Sequence, residues 1–250
     1  MASSFDSESI AGRRRTSALR IIVTSPPGAG QGWLTQSLAG IYGLDLLAGP
    51  ARPPGHRRGA CQRRMDGLFP EGSIYRTRSA YSTKLVDRWM AMPVQVITII
   101  RDPYDLFGLL HRRIEQQSLA ETAAPTGRRE RLGLPSLACY HDPALGLLTG
   151  QFDRILRRTL RWTRDDRVLV VRFEAMRDDP VRTLTAITDR IAPASPSSIE
   201  LGMRAAASNR LREFSTAGAD SPGDSLRFEH LLAFRDWHAD AILQLGYAIR

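Results

Sequence analysis

Thr24 to Gly32, TSPPGAGQG, holds the residues of clearest chemical use in this 250-residue chain. Three glycines and two prolines make it a loop. It follows Ile21–Val23, a β-branched run that reads as a buried strand. It precedes Trp33–Leu38, where apolar residues resume at helical spacing. A strand, a glycine-rich turn and a helix start together form an anion-binding device. Glycine lets the backbone approach a ligand closely, free N–H groups point outward, and the helix dipole favours negative charge. The same residues also suit a tight strand-to-helix turn with no ligand. The pattern GxxxxGK[ST] is absent and no lysine stands in the loop, which disfavours ordinary NTP hydrolysis and kinase chemistry.

These residues need a frame, and the length and composition supply one. A chain of 250 residues, 42% of them hydrophobic, can bury a sizeable core in one domain. Met1 to Ser17 is polar and Ser-rich and is expected to be a disordered arm, leaving residues 18–250 as a single domain. The net charge of +9 comes from 35 basic residues, of which only Lys84 is lysine. A basic surface attracts anions, whether nucleotide, nucleic acid or acidic lipid. The arginines are scattered, and no stripe interleaves them with aromatics, so a nucleic-acid surface is not favoured. Cys61 and Cys139 have no metal-ligand spacing and form no disulfide framework. The apolar run after Arg13–Arg15 is too short for a signal or a membrane span. A soluble cytoplasmic protein is expected, with no metal and with an oligomeric state that the sequence does not disclose.

Taken in order, the pattern predicts a first helix over Gln31–Tyr42, a long loop over Gly49–Arg64 and a strand over Ser73–Thr77. It predicts a helix over Tyr81–Met90 and a strand over Val94–Ile100, whose near-continuous apolar run suits a parallel strand covered on both faces. Pro103 opens a helix through Ile114, and Ala120–Tyr140 is a weakly patterned insertion. Leu145–Trp162 is an amphipathic helix and Arg167–Phe173 a strand. Helices follow from Asp179-Pro180 to Ile191 and over Ser195–Ala207, then an irregular stretch over Ser208–Arg227 and a last helix over Glu229–Leu245. This alternation implies an α/β fold, a three-layer sandwich around a central parallel sheet. Ligands of such sheets sit at the carboxyl ends of the strands, where Gly28 and Arg101 are both expected.

Several segments together resemble the PAPS-dependent sulfotransferases. PPGAGQGWL is similar to their 5′-phosphosulfate loop, PKSGTTWL. VQVITIIRDPYDLFGLLHRR is similar to the strand and RNPxDVxVSxYH motif at their 3′-phosphate site. VLVVRFEAMRDDPVRTLTAI is similar to VLVVRYEDLxxDPxxTLxxI, and ILQLGY fits the last helix. The segments keep the family's order and span Ile21 to Tyr247. The resemblance implies a P-loop-like sulfotransferase fold. It implies a donor, 3′-phosphoadenosine 5′-phosphosulfate (PAPS), and a small-molecule acceptor bearing a hydroxyl or an amine. It places the phosphosulfate at Pro27, Gly28, Ala29, Gly30, Gln31 and Gly32, held by the N–H groups of Gly28 to Gly32. It further implies adenine stacking by Trp33, which could equally be a core anchor. It implies a 3′-phosphate bond from Arg101, whose guanidinium can pair with phosphate in a bidentate fork or could instead cap the strand end or pair with Asp105.

Four positions depart from the pattern. Gly28 stands where the family has a loop lysine, whose charge stabilises the breaking bond. Arg78 stands where the family has its catalytic histidine, and an arginine cannot act as general base at neutral pH. Leu109 replaces a serine that contacts the 3′-phosphate, and Phe173 replaces a tyrosine. The late RKGxxGDW segment is not recognisable. Arg210 or Arg212 could supply that segment's cation; Arg76, Arg78 or Lys84 could restore the loop cation; Asp45, His56 or His111 could restore the base. Arg78 and Asp45 are the catalytic candidates taken forward. The alternative is a protein of this fold that binds a nucleotide or a partner without transfer chemistry.

Overall fold

The computed structural model describes residues 18–47, 69–123, 152–214 and 228–250. Its centre is a sheet of five strands: β1 (Arg20–Thr24), β2 (Asp45–Leu47), β3 (Ser73–Thr77), β4 (Val94–Ile100) and β5 (Val168–Arg172). Their order is β2-β3-β1-β4-β5 and every pairing is parallel. Helices α1 (Gln31–Tyr42), α2 (Thr83–Met90), α3 (Pro103–Ala123) and α4 (Phe152–Thr163) precede β5. Helices α5 (Phe173–Asp178), α6 (Pro180–Ile191), α7 (Pro196–Ala205), α8 (Ala207–Phe214) and α9 (Phe228–Gln244) follow β5. The expected α/β architecture is therefore present. Among the described residues, no helix is long and apolar enough to cross a membrane.

Burial on both faces explains the strand compositions. Ile21, Ile22 and Val23 are fully buried, and β4 is buried at every position but Gln95. One core cluster joins β1 to Trp33, Leu34, Leu38 and the helices after β5; another joins α3, α4 and α9 through Phe107, Phe152 and Phe234. Burial of so much apolar side chain is the main stabilising term.

The crossing of α1 and α7 is set by two glycines. A Cβ on Gly40 would lie 2.9 Å from the Gly202 Cα, and one on Gly202 would strike the Ser37 carbonyl and Ile41. Gly202→Ala is thus expected to force the helices apart and destabilise the protein by about 2 kcal/mol, the usual scale of core overpacking. A denaturant midpoint equal to the parent's would contradict this contact.

Asp165 fastens the start of β5. It accepts hydrogen bonds from Arg167 Nε at 2.8 Å, Arg167 Nη2 at 2.7 Å and Tyr81 Oη at 3.1 Å. Chiefly through the Arg167 bonds, its pKa is lowered to about 2. A depressed carboxylate contributes stability above its unfolded pKa and loses it as pH falls through the folded value. The parent is therefore expected to lose stability relative to Asp165→Asn between pH about 4 and about 2. Parallel acid-unfolding curves would remove this contribution.

Three features differ from the sequence reading. Asp45–Leu47, to which the sequence assigns no element, forms an edge strand after α1. Part of the expected irregular stretch is helical, as α8. Phe173 begins a helix rather than closing a strand. Residues 1–17, all of the 49–64 segment, residues 124–140, residues 145–151 of the expected helix and residues 215–227 lie outside the described residues, as do His56, Cys61 and Cys139.

Candidate functional site

The glycine-rich turn leaves the carboxyl end of β1 and enters α1 through Gly30, whose φ of +79° and ψ of 17° are left-handed. Gly28 has a φ of +85°. A Cβ on Gly30 would lie 3.1 Å from both Phe173 and Met176 side chains, and one on Gly28 would collide with Leu109. Both positions therefore require glycine on conformation and on space. Gln31 turns its side chain back across the sheet. Its Nε2 donates to the Val23 carbonyl at 2.7 Å and the Thr77 carbonyl at 3.0 Å, tying the turn to the ends of β1 and β3. Pro27, Gly28 and Gln31 are half-buried; Ala29, Gly30 and Gly32 are buried.

Arg101 follows β4 and comes against this turn. Its Nη1 donates to the Gly28 carbonyl at 2.6 Å, and its Cζ lies 4.0 Å from the centre of the Phe173 ring. The residue is 2% exposed, yet Nε and Nη2 have no hydrogen-bond partner among the described residues. Leaving buried charged donors without acceptors is costly. Desolvation lowers the Arg101 pKa to about 10, opposed by Asp105 and Glu174 and reinforced by Arg113 and Arg177. The guanidinium stays charged at neutral pH, and its remaining donors fit a compact anion such as phosphate.

The corner that carries Arg101 is clamped. Asp102 caps α3, its Oδ1 accepting from Tyr104 N at 2.8 Å. Its own N–H donates to Glu174 Oε1 at 2.7 Å, and Glu174 Oε2 accepts from Tyr247 Oη at 2.9 Å. Arg250 Nη2 donates to Asp102 Oδ2 at 2.7 Å. Glu174, Tyr247 and Arg250 were not singled out from sequence as contributors to the site. Glu174 and Tyr247 lie within matched segments, but their meeting at Asp102 depends on the tertiary fold.

The other expected site residues divide. Arg78 lies just beyond the carboxyl end of β3, on the edge of the sheet that bears the turn. The residue is exposed overall, yet protein packed around its guanidinium lowers its pKa, chiefly by desolvation and then by Arg76. Asp45 is a correction. It begins β2 in register with Ser73, at the amino ends of the strands. Ser73 to Thr77 is four strand steps, so Asp45 is separated from the turn's edge by about 13 Å. Trp33 is another. It is fully buried and meets Phe214 edge-on at 5.5 Å, while Phe214 stacks on Phe173 at 5.1 Å. Its ring anchors α1 in the core and offers no face to an adenine. Lys84 and Arg76 are exposed, Arg210 is half-buried on α8 and His111 is buried on α3. Among the described residues no cluster of His, Cys, Asp and Glu could hold a metal ion.

The departures from the sulfotransferase pattern acquire structural causes. Leu109 covers the Gly28 turn, where a serine would leave space. Phe173 supplies a ring face to Arg101 and edge contacts to Gly30, and neither task needs a hydroxyl.

No family model matches the chain, and no curated protein matches it. Solved structures do. A mouse sulfotransferase, SULT7A1, complexed with PAP, aligns over 89% of this chain and 83% of its own, with TM-score 0.62 and 16% identity. A sulfotransferase domain from the curacin biosynthetic pathway aligns over 92% of this chain and 98% of its own, with TM-score 0.47 and 14% identity. A sulfotransferase from Alicyclobacillus acidocaldarius aligns over 90% and 93%, with TM-score 0.44 and 16% identity. The likeness to the mouse enzyme establishes the fold: this chain has the sulfotransferase α/β fold.

Proposed function

We propose that this protein binds PAPS and transfers its sulfuryl group to a hydroxyl or amine of a small molecule. One observation carries the reading. A fully buried, charged Arg101 is bonded through Nη1 to the glycine-rich turn, while its other donors lack acceptors among the described residues. An anion at the turn supplies those acceptors. The N–H groups of Gly28 to Gly32 and the start of α1 favour the 5′-phosphosulfate, and Arg101 the 3′-phosphate. That the mouse relative of this fold is complexed with PAP supports the choice of donor.

Transfer breaks the bond between the bridging phosphate oxygen and sulfur and forms one between sulfur and the acceptor oxygen or nitrogen. The 3′,5′-bisphosphate leaves with the bond electrons, and the acceptor's proton passes to water. Arg78 follows the carboxyl end of β3, on the edge of the sheet that bears the turn, and in this reading it is a second cation that stabilises charge developing during transfer. One such donor is worth on the order of 3 kcal/mol.

Asp45 lies on the far edge and Arg78 cannot accept a proton, so neither supplies a general base, a contribution of about 10²–10⁴-fold. Transfer is therefore expected to favour acceptors whose hydroxyl ionises readily. With sulfate-labelled PAPS and an acceptor panel, phenols should be labelled faster than alkyl alcohols. Equal rates would reveal a base. The same placement of Asp45 favours a second reading, a nucleotide-binding protein without transferase activity. Saturable bisphosphate binding with no label transferred to any phenol, alcohol or amine would select it.

A further inference from the structure

Gly28 denies the turn a side-chain cation of its own, because its φ is +85° and any Cβ would meet Leu109. A cation nevertheless stands at that point. The position a Cβ would take on Gly28 is 3.4 Å from Nη1 of Arg113. Arg113 lies one helical turn beyond Leu109 on α3, and residues four apart share a helix face. The helix that begins immediately after Arg101 and Asp102 thus returns a second guanidinium to the turn that Arg101 holds.

We propose that Arg113 supplies the positive charge the turn lacks and contacts the 5′-phosphate end of the bound donor. This rests on the reading of the site as a PAPS site. A further observation supports it. Arg113 is among the charges that act on Arg101, and it acts unfavourably, as a like charge close by must. Phosphates bound beside each guanidinium offset that repulsion. Arg113 therefore takes the place of the loop lysine from another element, and the turn retains the glycine its backbone requires. The 5′ and 3′ ends of the donor fall to different arginines.

Calorimetric titration of the full chain with three probes tests this: adenosine 3′,5′-bisphosphate, adenosine 5′-monophosphate and adenosine 3′-monophosphate. Arg113→Ala is expected to weaken the two 5′-phosphorylated probes by about tenfold or more and to leave the 3′-monophosphate within about twofold. Arg113→Lys should recover part of the loss, since the charge returns without the fork. Arg113→Gln, which keeps a polar side chain without the charge, should behave as the alanine variant does. Parent-like bisphosphate affinity in Arg113→Ala and Arg113→Gln, both with an unchanged melting temperature, would overturn the assignment. So would an equal loss for all three probes. If the parent binds none of the three, the PAPS reading itself fails, and the role of Arg113 with it.

Discussion

Changing Arg101 to alanine is expected to weaken adenosine 3′,5′-bisphosphate binding by about tenfold to a hundredfold, the scale of hydrogen bonds to a charged group. The side chain has two tasks. It holds the Gly28 carbonyl through Nη1, and it offers Nε and Nη2 to an anion. Lysine cannot replace it, because one ammonium on a flexible stem cannot bond the carbonyl and grip a phosphate in the same fork. Arg101→Lys is therefore expected to bind almost as weakly as the alanine variant. The parent carries a second signature. Its affinity should hold at neutral and mildly alkaline pH and fall as pH rises through about 10, where Arg101 loses its proton. An Arg101→Ala protein that melts like the parent and binds with unchanged affinity would remove Arg101 from the site.

Restoring the lysine that sulfotransferase loops carry is expected to harm this protein. In Gly28→Lys the new side chain must adopt φ near +85° and displace Leu109. Left-handed strain costs about 1–3 kcal/mol, and overpacking typically another 1–3 kcal/mol. A stability loss of about 4 kcal/mol follows, together with weaker bisphosphate binding, because the displaced turn carries both the amides and the carbonyl that fixes Arg101. The added charge would also face Arg113. Chemical denaturation and calorimetry on one preparation check both effects. A stable Gly28→Lys protein with tighter binding would show that the turn merely lacks its lysine.

Much of the frame was legible in the sequence, for physical reasons. Ser73–Thr77, Val94–Ile100 and Gln31–Tyr42 have the bounds their composition predicts. Val94–Ile100 is a near-continuous β-branched run, Ser73–Thr77 carries Ile74, Tyr75 and Thr77, and the helix is flanked by Gly30 and Gly43 in left-handed conformations. Asp45–Leu47 was not legible. Three residues with no β-branched member carry no strand signal, and the strand forms because β3 offers an unpaired edge. α8 was hidden by its polar composition, although Phe214 docks it on Phe173 and Trp33. Around the turn, the position of Arg101 at the carboxyl end of the sheet was legible because it follows the strongest strand. Arg113 was not, because Gly28 lies far from it in sequence and only the path of α3 joins them. Trp33 shows the limit of motif transfer. The residue type matches the sulfotransferase pattern, but here the ring packs against Phe214 in the core.

The most direct test is a calorimetric titration of the full chain with adenosine 3′,5′-bisphosphate, run in parallel on Arg101→Ala. Saturable single-site binding by the parent and its loss in the variant is the expected result. Absence of binding by the parent at millimolar ligand would contradict the account.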